Sequence, residues 1–117
     1  HRSYYPPLYP LLDDYSIKGL AHITGGGIPG NLPRALGGDL GAIVDTRSWE
    51  IPPLFRVLQA GGGVSTKEMF RVFNMGVGMI VISGPERAEA LVETLSGRKE
   101  KAWILGEVTG DPGVELI

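Results

Sequence analysis

Glycine is the feature that most limits the folds open to this chain of 117 residues. Of its 18 glycines, most lie in four clusters, at 25–30, 37–41, 61–63 and 76–78. Apolar runs of strand or helix length separate the clusters, so the glycines mark turns within a folded structure and not a flexible tract. With 43% hydrophobic residues, a chain of this size can bury one core. We therefore expect a single domain over residues 1–117.

The apolar runs predict an α+β domain with a mixed sheet of four to six strands. Strands are predicted at 19–24, 40–45, 79–82, 102–108 and 114–117, and short helices at 28–36, 52–61, 65–73 and 84–96. The strand at 79–82 is apolar throughout, which predicts a central strand buried on both faces. Ser65 with Glu68, and Ser83 with Glu86, predict capping boxes at the starts of two helices.

Residues 1–16 precede the first predicted strand and combine prolines with spaced leucines. Prolines are tolerated near the start of a helix, so this region is interpreted as a short docking segment. The first residue is His1 and not methionine. We therefore expect the chain to be a fragment of a longer protein.

Composition argues against several classes of function. Lys and Arg number 11 against 13 Asp and Glu, without a basic cluster, so we expect no nucleic-acid partner and no membrane partner. There is no cysteine, and His22 is the only internal histidine, so no metal site is expected. No apolar stretch approaches the length of a membrane span, and a cytoplasmic location is the expectation.

The first glycine cluster fits the G-x-G-x-x-G pattern of dinucleotide-binding proteins through Gly25, Gly27 and Gly30. Asp45 lies twenty residues after Gly25, where such proteins carry a ribose-binding acid. The pattern also requires a helix of several turns beneath the pyrophosphate. Pro33 and the glycines that follow it restrict this helix to about two turns, which argues against a dinucleotide site.

A P-loop is excluded because Asn31 and Leu32 stand where lysine and serine or threonine are needed. A narrower possibility remains for residues 25–27. Successive backbone N–H groups without side chains can form a concavity for an anion such as a phosphate monoester. The alternative is a turn that needs glycine for positive φ and binds nothing, and the residues alone leave both open.

Four sequence blocks follow one another along the chain. They are HITGGG at 22–27, NLPR at 31–34, SWEIPPLFR at 48–56 and MFRVFNMGVGM at 69–79. In order and spacing these blocks resemble the phosphoribosylformylglycinamidine cyclo-ligase family, also called aminoimidazole ribonucleotide synthetase, over residues 17–117. Pro29 and Gly30 stand where that family carries polar residues, and Phe70 and Val72 replace its tyrosine and threonine.

The resemblance implies the carboxy-terminal, three-layer α/β/α domain of a subunit that is normally a homodimer. An amino-terminal domain would hold most of the ATP and Mg²⁺ site, and the chain alone would be inactive. The implied reaction converts formylglycinamidine ribonucleotide to aminoimidazole ribonucleotide. ATP phosphorylates the formyl amide oxygen, an amidine nitrogen attacks the activated carbon, and ring closure expels phosphate. A stand-alone binding or regulatory module of the same superfamily is the alternative.

The backbone argument and the resemblance together assign Gly25, Gly26 and Gly27 to the ribose phosphate of the substrate. Arg34 could add charge to that phosphate through its planar guanidinium, or could be a solvated helix residue. Asn31 could contact the ligand or cap the short helix. All five residues are therefore candidates for substrate binding.

His22 is the candidate catalytic acid or base, because an imidazole titrates near neutral pH, with a structural hydrogen bond as the alternative. Thr24 is a candidate for holding the loop or the anion. Arg71 and Asn74 flank the turn before the strand at 79–82, and they are candidates for contact with the nucleotide or the amino-terminal domain. Trp49 is predicted to be a packing residue.

Overall fold

The computed structural model describes residues 17–117, so the predicted docking segment at 1–16 lies outside the described residues. In chain order, the described elements are β1 (Ile17–His22), α1 (Gly27–Leu36), β2 (Gly41–Val44), α2 (Pro53–Gly62), α3 (Thr66–Val72), β3 (Met79–Ser83), α4 (Pro85–Gly97), β4 (Gly106–Thr109) and β5 (Gly113–Leu116). This mixture of helices and strands confirms the α+β class.

The five described strands form two sheets, so the single sheet of four to six strands was wrong for residues 17–117. β1 pairs with β3, and β2 lies between β4 and β5. The pairing of β2 is antiparallel with β4 and parallel with β5, so the three-stranded sheet is mixed. β2, at the centre of that sheet, is the strand with two neighbours.

β3 was predicted to be a central strand buried on both faces, and this is wrong within the described residues. Its neighbour there is β1, and of its five residues only Ile80 is buried. An apolar run shows that side chains avoid water, but it does not show which strands pair with it. The error therefore lies in inferring a position in the sheet from composition.

Two compact units divide the chain. One contains, of the described residues, 17–20 and 81–104, and the other contains 21–80 and 105–117. The second unit holds the three-stranded sheet and a core cluster of Met69, Phe70 and Met75. Trp49, Ile51, Phe55, Val64, Phe73 and Leu116 pack against this cluster. The prediction that Trp49 packs against the core is confirmed.

The two predicted capping boxes have different outcomes. Ser65 caps α3, and its Oγ accepts the Glu68 backbone N–H at 3.2 Å. Ser83 does not cap α4, because the N-cap is Gly84 and the Ser83 hydroxyl donates to the Gly84 carbonyl at 3.2 Å. Pro85 explains the difference, since proline fits the first helical position and the helix therefore begins one residue late for Ser83.

β4 covers Gly106–Thr109, whereas the sequence predicted a strand at 102–108. Its partner β2 has only four residues, and the register pairs Val44 with Gly106 and Gly41 with Thr109. The partner therefore limits β4 to four residues, although the apolar run begins earlier. β1 also lies two residues before its predicted position at 19–24.

α2 carries apolar side chains on its outer side. Leu54 is 64% exposed and Val57 is 66% exposed, while Phe55 on the same helix packs against the core cluster. None of the residues of α2 is buried. Among residues 17–117 there is no helix whose length and apolar character would let it cross a membrane.

Candidate functional site

The connection from β1 to α1, residues 23–27, forms what we call the glycine loop. Gly26 has φ 97° and Gly27 has φ 62°, both in the left-handed region where a side chain is unfavourable. A Cβ at Gly27 would also overlap the Phe70 carbonyl oxygen and lie 2.7 Å from that of Phe73. The fold of this chain therefore requires glycine at 26 and 27.

Gly25 differs from its two neighbours. It is exposed, it is not among the glycines with positive φ, and a Cβ added there would meet no atom of residues 17–117 within 4 Å. Neither backbone conformation nor packing therefore demands glycine at this position. What glycine does provide is a backbone that a ligand can approach without meeting a side chain.

Asn31, on α1, binds the carbonyl oxygens of the glycine loop. Its Nδ2 donates to the carbonyl oxygens of Thr24 at 3.3 Å, Gly25 at 3.3 Å and Gly27 at 2.8 Å. The Thr24 hydroxyl donates to Asn31 Oδ1 at 3.5 Å. Of the two alternatives for Asn31, the helix cap is wrong, because Gly26 is the N-cap and α1 has no side-chain cap; ligand contact stays a prediction.

The position of Asn31 determines where the N–H groups of the glycine loop point. In a trans peptide the N–H lies opposite the C=O of the preceding residue. Since the Thr24 and Gly25 carbonyls face Asn31, the N–H groups of Gly25 and Gly26 point away from it, towards solvent. Within residues 17–117 neither group has a hydrogen-bond acceptor. The Gly27 N–H is used internally and donates to the Thr24 carbonyl at 3.0 Å.

A second segment, residues 74–78, lies beside the glycine loop, and we call it the Asn74 turn. The Asn74 Oδ1 accepts the Gly76 N–H at 2.9 Å, and the Asn74 carbonyl accepts the Val77 N–H at 3.0 Å. At the far end of the turn, the Gly78 carbonyl accepts the Ile23 N–H at 2.9 Å. The structure therefore brings together two segments that lie about fifty residues apart in the sequence.

Arg71 lies on the last turn of α3, between Phe70 and Phe73, whose carbonyl oxygens lie against Gly27. Its guanidinium Nη1 is 3.2 Å from the Glu68 carboxylate, and both side chains are largely exposed. A solvated ion pair of this kind contributes little to stability, about 0.3 kcal/mol, so a ligand could displace it at small cost. The predicted role of Arg71 stays a prediction.

Arg34 and His22 lie on the two elements that the glycine loop connects. Arg34 is exposed and follows Gly27 by seven residues, a rise of about 10 Å along α1. His22 ends β1 with an exposed side chain, two residues before Thr24. Their predicted roles stay predictions.

Asp45, the acid expected of a dinucleotide site, is occupied in a turn. Its Oδ1 accepts the Arg47 backbone N–H at 2.9 Å, and the Arg47 guanidinium lies 3.4 Å away. The backbone hydrogen bond is the main reason that the pKa of Asp45 lies below its ordinary value. α1 has only ten residues, as the proline and glycines around it predicted. Within 17–117 no three His, Cys, Asp or Glu side chains are grouped to hold a metal.

A family model described as AIR synthase related protein, C-terminal domain, matches residues 6–117. The chain belongs to this family. Similar curated proteins are named phosphoribosylformylglycinamidine cyclo-ligase. The one from Neisseria gonorrhoeae is 46% identical over 97% of this chain, and the one from Bacillus cytotoxicus is 45% identical over 97%. The chain spans about a third of the length of these relatives, 33% in both cases.

A solved protein of similar fold is HypE of Escherichia coli. It superposes with a TM-score of 0.68 over 95% of this chain and 34% of its own chain, at 22% sequence identity. At that identity the likeness concerns the fold alone. It agrees with the mixed α/β architecture of an AIR synthase related C-terminal domain.

Two features of this AIR synthase related domain were not anticipated from sequence. Asn31 was considered as a ligand contact or a cap, but it binds the carbonyl side of the glycine loop. Trp49 was considered only as a packing residue, yet its indole Nε1–H donates to the Met75 carbonyl in the Asn74 turn at 2.9 Å. Neither role has a local sequence signal, because each depends on which backbone atoms the fold places opposite the side chain.

Proposed function

We propose that this chain is the substrate-binding, carboxy-terminal domain of an ATP-dependent cyclo-ligase. That enzyme would convert formylglycinamidine ribonucleotide to aminoimidazole ribonucleotide in purine biosynthesis, with release of ADP and phosphate. The names of the relatives, at 40% to 46% identity, support the reaction. Because the chain spans a third of their length, the domain alone would not catalyse it.

One observation carries the assignment of substrate binding to the glycine loop. The N–H groups of Gly25 and Gly26 point away from Asn31, and within the described part of the chain no acceptor satisfies them. They also lie at the amino end of α1, where the helix dipole favours an anion. A ribose phosphate offers the oxygen acceptors and the negative charge that this arrangement suits.

Other residues are proposed in supporting roles. Thr24 holds the loop through Asn31 and presents an exposed backbone beside Gly25. Arg71 and Asn74 each directly follow, in the chain, a residue whose carbonyl lies against Gly27. This position suits contact with the nucleotide or with the amino-terminal domain. Arg34 would add positive charge at longer range, and His22 would exchange a proton during ring closure.

ATP and Mg²⁺ belong, in this proposal, mainly to the amino-terminal domain. When bound, ATP would supply the phosphoryl group that turns the formyl amide oxygen into a leaving group, and Mg²⁺ would neutralise charge on its phosphates. The residues of the present chain would bind and orient the ribonucleotide, with its phosphate at Gly25 and Gly26. We further propose that the complete enzyme is a cytoplasmic homodimer.

The test is a titration of the chain with inorganic phosphate. The readout is the shift of the Gly25 and Gly26 backbone amide signals in NMR spectra. Replacing Gly25 first by alanine and then by valine places a growing side chain on the approach path. We expect phosphate affinity to fall in that order while the melting temperature stays constant, because the position has room for a Cβ.

Gly30→Ala is the matched control, since Gly30 also faces open space and lies one helical turn further along α1. It should bind phosphate like the unmodified chain. Amide signals at 25 and 26 that do not respond to millimolar phosphate would refute the assignment of the loop. Ring closure by this chain alone, given ATP, Mg²⁺ and the ribonucleotide, would refute the division of labour between the domains.

A further inference from the structure

Trp49 contacts the Asn74 turn and the Phe70 ring of α3. Its indole Nε1–H donates to the Met75 carbonyl in the Asn74 turn at 2.9 Å. Its ring meets the Phe70 ring edge-on, with centroids 6.3 Å apart and planes at 83°. The side chain is half-buried and packs against the core cluster. A buried indole usually finds a partner for its N–H, and here that partner is a carbonyl of the turn.

The Asn74 turn has a backbone that must be held in place. Met75 has φ 55°, a conformation that is uncommon for a residue with a side chain, and its side chain is buried. Such conformations persist where the surroundings fix them. Here the Asn74 side chain holds the Gly76 N–H, and the Trp49 indole holds the Met75 carbonyl. The turn is thus fixed from two sides by side-chain hydrogen bonds.

Phe70 links Trp49 to the glycine loop. The Phe70 carbonyl lies so close to the Gly27 backbone that a single Cβ on Gly27 would overlap it. A movement of Phe70 would therefore shift the carbonyl against which Gly27 packs. Gly27 directly follows Gly25 and Gly26, whose N–H groups face solvent. Trp49 packs on Phe70 from its ring side, so its position affects the loop as well as the turn.

We propose that Trp49 is a positioning residue of the candidate site, which sets the Asn74 turn through its indole N–H and the glycine loop through Phe70. This inference rests on the proposed function, because it assumes that the loop binds an anion. It assigns to Trp49 a role in ligand affinity and not only in stability.

The chain has two tryptophans, Trp49 and Trp103, and this allows a matched pair of variants. Trp49→Phe keeps an aromatic ring and removes the N–H, while Trp103→Phe makes the same change in the other compact unit. Both are titrated with inorganic phosphate, with the Gly25 and Gly26 amide signals as the readout. We expect Trp49→Phe to bind phosphate about fivefold more weakly, the effect of one neutral hydrogen bond, and Trp103→Phe to bind unchanged.

Equal phosphate affinity in folded Trp49→Phe and in the unmodified chain would overturn the inference and leave the proposed function standing. If Trp49→Phe does not fold, the unmodified chain decides, because Trp103→Phe identifies which of the two indole N–H signals belongs to Trp49. That signal should shift along the same phosphate binding curve as the Gly25 amide, and an unresponsive signal would overturn the inference. Loop amides that ignore phosphate in the unmodified chain would refute the proposed function, and this inference with it.

Discussion

The three consecutive glycines of the loop stand under different constraints. Gly26 and Gly27 have positive φ, and Gly27 also lies against the Phe70 and Phe73 carbonyls. Gly25 has neither constraint within the described residues, so neither positive φ nor packing there requires glycine. The structural-turn interpretation thus accounts for Gly26 and Gly27, and the anion cradle stays a proposal that Gly25 can test.

Gly27→Ala should be strongly destabilising. The left-handed conformation costs an alanine about 1 to 2 kcal/mol, and the overlap with the Phe70 carbonyl adds a comparable amount, so we expect a loss of about 3 kcal/mol. Urea denaturation of the chain measures the free energy of unfolding. Gly30→Ala is the control, and it should stabilise the chain by about 0.5 to 1 kcal/mol because Gly30 lies within α1. Equal stabilities of the two variants would contradict the packing at Gly27.

Asp45 should titrate below its ordinary pKa of 3.8. The Arg47 backbone N–H, with smaller help from its guanidinium, favours the carboxylate in the folded chain. A lowered folded-state pKa means that the contribution to stability is present above the unfolded-state value and is lost as pH falls through the folded-state value. NMR titration of the Asp45 carboxyl carbon measures this directly, and a pKa at or above 3.8 would contradict the hydrogen bond. Because the Asp45 side chain is partly exposed and water screens its interaction, the effect on stability is small.

At the scale of elements, local signals were reliable where the cause is local. The order of helices and strands, the Ser65 cap and the short α1 followed from residues within a few positions of each feature. Strand lengths and pairings did not, since β4 is limited by its partner β2 and β3 pairs with β1. The same holds for the site. The glycine loop could be located from sequence, but its neighbour, the Asn74 turn, is joined to it only by tertiary contacts.

The two serines offer a direct test of helix capping. Ser65→Ala removes the acceptor of the Glu68 N–H and should cost about 1 kcal/mol of unfolding free energy. Ser83→Ala removes a hydroxyl that caps no helix and should cost less, about 0.5 kcal/mol. Thermal or urea denaturation of the two variants provides the comparison. A larger loss of unfolding free energy in Ser83→Ala would show that Ser83, and not Gly84, caps α4.

At the scale of the whole molecule, the proposal can be tested by exchange with a relative. The carboxy-terminal third of the Neisseria gonorrhoeae cyclo-ligase, replaced by this chain, should give a protein that forms aminoimidazole ribonucleotide with ATP. Gly25→Ala in that protein should raise KM for the ribonucleotide more than it lowers kcat, because the phosphate is bound in both ground and transition states. Gly30→Ala again serves as the control. A folded but inactive chimera would favour the alternative of a binding or regulatory module.

The contact of Gly27 with the carbonyls of Phe70 and Phe73 also bears on how such a domain can change over generations. Two segments that touch backbone to backbone leave no side chain through which substitutions could compensate one another. We therefore expect the backbones at the end of α3 and at the start of α1 to change position only together during evolution. Gly25, with open space around it, is free of that restraint. Selection for a ligand of another shape should find its first successful substitutions there.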